Sequence, residues 1–157
     1  MSSVEQKIFI GLDPGSSSGA WAIIDQGGNY VDCGEIPTVN SRVNAQALSL
    51  LLHTVGVSQI LMVVEDVHTM PGQGISSSGK FMRAAGAIEA VAELTGDEVV
   101  LVRPQVWKKH HGLIGTEKKA SLELARKLWP DAPLKLVKHH GRADALLMAL
   151  WLKDQVK

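Results

Sequence analysis

The chain has one cysteine, Cys33, so no internal disulfide framework can hold it together. It has neither a leader-like N-terminal pattern nor an apolar run approaching the roughly 18 residues of a membrane span, and the expected location is intracellular, in the cytoplasm. Cysteines and histidines are not spaced as zinc ligands are. Internal repeats, low-complexity tracts and dividing linkers are also missing, so 1–157 reads as a single domain. The formal net charge is zero, which by itself argues against a nucleic-acid partner.

What is present changes that last inference. A chain of 157 residues, 45% hydrophobic and 20% charged, is long enough to bury most of its unfolded surface in one core. Its charge is unevenly distributed. Between Arg103 and Arg142 there are ten Lys/Arg against three acids, Glu117, Glu123 and Asp131, and the remainder carries the balancing acidic excess. Such a basic stretch is either a solvated set of helix faces or a phosphate-binding face.

The patterning predicts three strands, Lys7 to Asp13, Ala20 to Asp25 and Tyr30 to Ile36, the last two joined by a turn at Gln26-Gly27-Gly28-Asn29, as an antiparallel meander. Val43, Ala47, Leu48, Leu51, Leu52 and Val55 have helical spacing, and QILMVVEDV (59 to 67), apolar at nearly every position, predicts a buried central strand. HTMPGQGISSSGK reads as a flexible loop. A small-residue helix follows from about Gly79 to Leu94, then a strand (Glu98 to Arg103), a basic loop, and helices from about Thr116 to Trp129 and from about Arg142 to Val156. The order βββαβαβαα implies an α/β sheet of mixed direction with helices on both faces.

Asp13 and Glu65 both end apolar strands that would be central in such a sheet, where ligands bind beyond the carboxyl ends of parallel strands. Asp13 taken alone could be a turn residue before Pro14, and Asp144 a helix-dipole partner in the last helix. Glu65 closing LMVVE is costly near a core unless paired or bound to a cation. The segments IFIGLDPGSSSGAWAIID, MVVEDV and GRADALLMAL resemble, in order and spacing from about Lys7 to Lys153, the motifs of RuvC-type Holliday-junction resolvases of the ribonuclease H and retroviral integrase superfamily. Gly-Leu-Asp-Pro-Gly and Arg-Ala-Asp-Ala-Leu are especially similar to phage-borne or divergent members.

The resemblance implies a ribonuclease H-like mixed five-stranded sheet, three antiparallel strands then parallel strands, in which Asp13, Glu65 and Asp144 are the catalytic, metal-holding acids. The family usually carries another acid, or a histidine, three residues before the last aspartate; Gly141 stands there. His140 lies four residues before Asp144, on the same helix face if the helix starts early enough, and is the candidate fourth ligand or the group that positions or deprotonates water. A solvated or DNA-contacting role for His139 and His140 is the alternative. Three carboxylates suit Mg²⁺, with Mn²⁺ also expected to support activity, in a two-ion cut leaving 5′-phosphate and 3′-hydroxyl ends.

On this reading the partner is branched DNA, above all four-way junctions. Lys118 and Lys119 lead the DNA-binding candidates because the Gly-Thr-Glu-Lys segment from Gly115 to Lys118 resembles a family segment whose lysine contacts DNA; Lys108, Lys109 (in a cluster with His110 and His111), His68 and Arg142 join them. For Arg126 and Lys127 a solvated helix face is preferred. His68 and Met70 stand at the tip of the loop that the family uses to probe the junction core, and neither is a strong stacking platform, so weak base preference is expected. The helix around Ala84 to Ala90 fits the family's twofold dimer, with ordinary packing as the alternative. A nucleoid-associated location, or the host cytoplasm for a phage-encoded chain, follows. The four tryptophans and Cys33 are read as packing residues. Two rival functions remain: a junction binder without catalysis, suggested by Gly141, and a nucleotide-binding protein of the sugar-kinase and actin superfamily, suggested by Asp-x-Gly-Ser-Ser but opposed by the short chain.

Overall fold

The strands are where β-branched and aliphatic runs are, and the sheet they form is mixed. In the computed structural model, which describes residues 5–15, 19–53, 56–68 and 71–156, β1 (Lys7–Asp13), β2 (Ala20–Asp25) and β3 (Tyr30–Glu35) form the antiparallel meander. β4 (Thr38–Val39) and β5 (Arg42–Val43) make a separate two-stranded hairpin, which the sequence pattern did not announce. After α1 (Ala45–Leu52) comes β6 (Gln59–Glu65), then α2 (Ile75–Thr95) and β7 (Glu98–Val102). Two further helices, α3 (Pro104–His110) and α4 (Lys118–Leu128), precede a short 3-10 turn at Val137–His139 and α5 (His140–Gln155). Strand order is β3-β2-β1-β6-β7, with β6 parallel to both β1 and β7. Val55, Met70 and the three serines between Gly15 and Gly19 lie outside the described residues.

Several boundaries differ from expectation. α2 begins at Ile75, inside the stretch read as a loop, because the serines that follow tolerate helix when the later turns, Ala85, Ile88, Val91 and Ala92, are anchored in the core. The expected basic loop contains α3, a seven-residue helix started by Pro104 at its first position.

Period-two alternation splits the core into two layers. Ile8, Ile10, Leu12, Ile60, Met62 and Val64 face α1 and α2, whereas Phe9, Leu61 and Val63 face α5 and the layer holding α3 and α4. Gly11 belongs to this second face. A Cβ there would sit 1.9 Å from the carbonyl oxygen of Ala145, so only glycine lets α5 lie directly on β1. That contact brings the N-terminal turns of α5 to the carboxyl end of the sheet. No helix among the described residues is long and apolar enough to cross a membrane.

Candidate active site

Strand register decides which acids meet. Leu12 pairs with Val64 across the parallel β1/β6 ladder, so Asp13 and Glu65, one residue further on, end adjacent strands and point to the same face, the one α5 covers. Asp144 enters from α5, one residue before the Ala145 that rests on Gly11. Asp13 is buried at 7% exposure, and its Oδ1 accepts a hydrogen bond from the Gly15 amide at 3.0 Å. That bond closes an Asx turn which Gly15, with φ of 63°, permits. The carboxylate before the Pro-Gly turn therefore shapes the turn and still has Oδ2 free to face α5.

The three acids strain one another. Burial raises the pKa of Asp13 well above the ordinary carboxylate value, and the charges of Glu65 and then Asp144 add to this. Burial is also the main cause of the raised pKa of Glu65, with Asp144 adding to it, and of the raised pKa of Asp144. Lys108 opposes the shift at all three. Asp144 Oδ1 is buried without a hydrogen-bond partner, while the Ser121 hydroxyl, 3.1 Å from the Lys118 carbonyl, favours the ionised form of the same carboxyl.

A divalent cation fits the chemistry of this donor set: hard oxygens, mutual repulsion that a positive charge relieves, and one buried oxygen with nothing to bind. The arrangement is a repelling group around a crevice rather than a finished cage, for no three His, Cys, Asp or Glu among the described residues converge on one ion position. Gly141 lies at this crevice, since a Cβ there would be 3.9 Å from Asp13 Oδ2. The position where a further ligand was expected thus faces the site and carries no donor. His140 opens α5 one turn before Asp144, is exposed, and in its charged form lowers the Asp144 pKa. His139 is buried instead, its Nδ1 accepting from the Leu136 amide at 3.1 Å.

Trp107, read from sequence as packing, is the residue that reading missed. It is fully buried, and its indole N–H donates to Glu65 Oε2 at 2.8 Å. No sequence pattern links residues 42 positions apart; the only cue was an aromatic in a polar stretch, where a buried N–H needs an acceptor.

The basic residues separate into two groups. Lys108 and Lys118 line a small cavity of about 130 Å³ together with Ser121 and Asp144, so both stand at the crevice. Lys109 and Lys119 are exposed, Lys119 paired with Glu117 at 3.4 Å. His110 and His111 both reach α5, His110 at the surface and His111 half-buried: His110 Nε2 lies 2.8 Å from Asp154 Oδ2 and His111 Nε2 lies 2.7 Å from the Leu147 carbonyl. His68 is exposed beside Asp66, 3.8 Å away. Arg142, expected among the DNA contacts, is engaged internally. Its Nε and Nη2 grip Glu35 at 3.0 and 2.7 Å and its Nη1 donates to the Pro133 carbonyl at 3.0 Å, so the guanidinium fork is already filled.

No family model matches the chain. The Holliday junction resolvase MOC1, chloroplastic, of Chlamydomonas reinhardtii is 37% identical over 91 residues, 56% of this chain, and the chain spans only 10% of that relative's length. Among solved structures, T. thermophilus RuvC in complex with Holliday junction substrate matches with a TM-score of 0.66 and 16% identity, covering 94% of this chain and 96% of that one. A second Thermus thermophilus RuvC structure matches with a TM-score of 0.59 and 18% identity, covering 91% of each. The chain has the RuvC fold, a mixed sheet of ribonuclease H type.

Proposed function

We propose, with the RuvC fold as premise, that this chain is a metal-dependent, structure-selective endonuclease that cuts four-way DNA junctions in the cytoplasm. The observation that carries the proposal is the meeting of Asp13, Glu65 and Asp144 at the carboxyl end of the sheet, desolvated, with one buried carboxylate oxygen unpaired. Such a group is costly to a fold, because each uncompensated buried charge destabilises it, and a bound cation would relieve that cost.

Asp13, Glu65 and Asp144 would hold Mg²⁺, or Mn²⁺ in its place; when bound, two such ions activate a water and stabilise the departing 3′ oxygen of a phosphodiester, leaving a 5′-phosphate. The protein's own contribution is orientation. Gly15 fixes Asp13 Oδ1, Trp107 fixes Glu65 Oε2, and burial keeps competing water away from both. Lys108 and Lys118, which line the cavity beside Asp144, would bind the phosphates flanking the cut, and exposed Lys109 and Lys119 would extend that contact along the strand without reading sequence. His140, one turn before Asp144 at the start of α5, is the candidate to join the ligands or to hold the attacking water.

Paired nicks need two sites, and α2 is the surface for a twofold dimer. Met82, Gly86 and Ala90 are exposed along one side of the helix, and nothing lies within 4 Å of where a Gly86 Cβ would be, so a second backbone can approach closely.

The test is cleavage of a labelled four-way junction, with linear duplex beside it, in Mg²⁺, Mn²⁺ and EDTA, using wild type and Asp13→Asn. Paired, metal-dependent nicks that ligase can reseal, absent from duplex and from the variant, are expected. Tight junction binding in EDTA without cutting in either metal would instead identify a binder. No junction binding, with ATP binding or hydrolysis in its place, would identify a nucleotide site.

A further inference from the structure

Beside the crevice, on the other side of the turn that follows Asp13, a groove of about 550 Å³ opens between that turn, the β4/β5 hairpin and α2. Pro14, Gly15 and Gly19 form the wall nearest the acids. The floor is apolar, with Ile36, Ala84 and Ile88 on it, and half-buried Phe81 borders it. Three cations line the groove: Arg42 on the hairpin, and Lys80 and Arg83, one turn apart on α2. No acid lines it, and among the described residues none of the three lies within the 4.0 Å ion-pair distance of a carboxylate. Arg42 is held by a tight turn in which Asn40 and Ser41 both have positive φ, 50° and 61°, the geometry of a two-residue hairpin.

Those features select a ligand class. Three cations with no carboxylate partner among the described residues call for an anion that extends over more than one contact. The apolar floor and the Phe81 ring call for a flat, weakly polar body between them. The volume is in the range that takes one small ligand, whereas a duplex, whose wider groove alone is about 12 Å across, cannot enter. We infer that this groove receives an unpaired nucleotide of the DNA strand next to the cutting site, its phosphates on Arg42, Lys80 and Arg83 and its base against Phe81. Aromatic stacking with flanking cations is how unpaired strands are held without regard to sequence. The inference deepens the junction-nuclease reading and rests on it. It also explains how the chain could open a branch point although His68, in the loop after β6, offers little to stack on.

The three cations lie outside the basic stretch from Arg103 to Arg142, in the part of the chain where acids are in excess. Counting charge along the sequence therefore hides them, and only the packing of the hairpin against α2 gathers them.

The experiment compares wild type, Arg42→Ala/Arg83→Ala and Phe81→Leu in EDTA, where nothing is cut. The probes are a four-way junction with 2-aminopurine at the branch, a linear duplex and a short oligothymidine. The double variant is expected to bind junction and oligothymidine about tenfold more weakly or worse, and duplex nearly as before. Its salt dependence should flatten by about 1.4, or 0.7 for each lost single-strand phosphate contact. Phe81→Leu should keep affinity within about threefold yet change the 2-aminopurine emission on binding. Wild-type affinity, slope and emission in the variants would overturn the inference. So would a double variant that has turned monomeric in the ultracentrifuge, which would give the groove to a second copy of the chain. If wild type binds oligothymidine through the groove but ignores the junction, the nuclease reading fails and the groove stands.

Discussion

Replacing Asp13 by asparagine should stabilise the metal-free protein while abolishing the proposed junction cutting. Burial, then the charges of Glu65 and Asp144, raise the Asp13 pKa well above its ordinary value. Between the unfolded and folded pKa values the folded chain binds more protons than the unfolded one, so its stability falls as pH rises through that interval. Above the folded value the whole penalty is present, about 1.4 kcal/mol for each unit of elevation. Asparagine cannot ionise, and its Oδ1 can still accept from the Gly15 amide, now at 3.0 Å from the aspartate oxygen. Its Nδ2 replaces the second oxygen and presents a donor where an acceptor faced two acids. The variant should therefore melt higher than wild type in EDTA at pH 8, by about 2–4 °C for each kcal/mol of penalty relieved in a chain of this size. The gain should shrink as pH is lowered toward 4, where the folded carboxyl is protonated and the unfolded one, with its ordinary value of 3.8, is partly so. Millimolar Mn²⁺ should raise the wild-type Tm and not that of the variant. Calorimetric melts from pH 4 to 8 decide it: a variant that melts no higher than wild type at pH 8, or a gap that does not change with pH, would refute the reasoning.

Trp107→Phe keeps the ring in the core but leaves Glu65 Oε2 without its donor, a charge-assisted bond worth about 1.5–3 kcal/mol. Junction cleavage should fall about 10- to 100-fold with the far-UV spectrum unchanged, and wild-type rates would rule out the orienting role. Gly11→Ala drives a methyl into the Ala145 carbonyl and should cost more than about 3 kcal/mol, seen as insoluble or molten protein; a folded variant with a normal Tm would be the contrary result. Arg142→Ala should lower stability by about 1 kcal/mol, a small value because the Glu35 end of the pair is solvent-screened, and should leave junction affinity within about twofold. A tenfold loss of affinity at unchanged stability would return Arg142 to the DNA surface.

β1, β2 and β6 were legible because each is a run of β-branched or aliphatic residues ended by an acid. The acids Asp13 and Glu65 were legible for the same reason, as interruptions at the ends of such runs. Asp144 needed the family resemblance, since an aspartate in a helix's first turns has an ordinary explanation. What escaped reading was short or long-range. α3 has too few residues to show a period, and the β4/β5 hairpin pairs only two residues a side. Arg142 looked like one more cation in a basic stretch, and its pairing with Glu35 across 107 positions has no local signature. The start of α2 is a case of tertiary packing overriding Gly and Ser propensity.

α5 supplies much of one core layer, Ala143, Ala145 through Ala149 and Leu152 being buried, and it also carries Asp144. A chain cut short before residue 140 lacks both, and circular dichroism of such a fragment should show no cooperative melt. During translation, then, the ribosome releases strands bearing two of the acids long before the third exists, and a polypeptide stalled or clipped in that interval has neither a closed core nor a complete set of ligands. The last long helix thus closes the core and completes the cluster of acids in a single step.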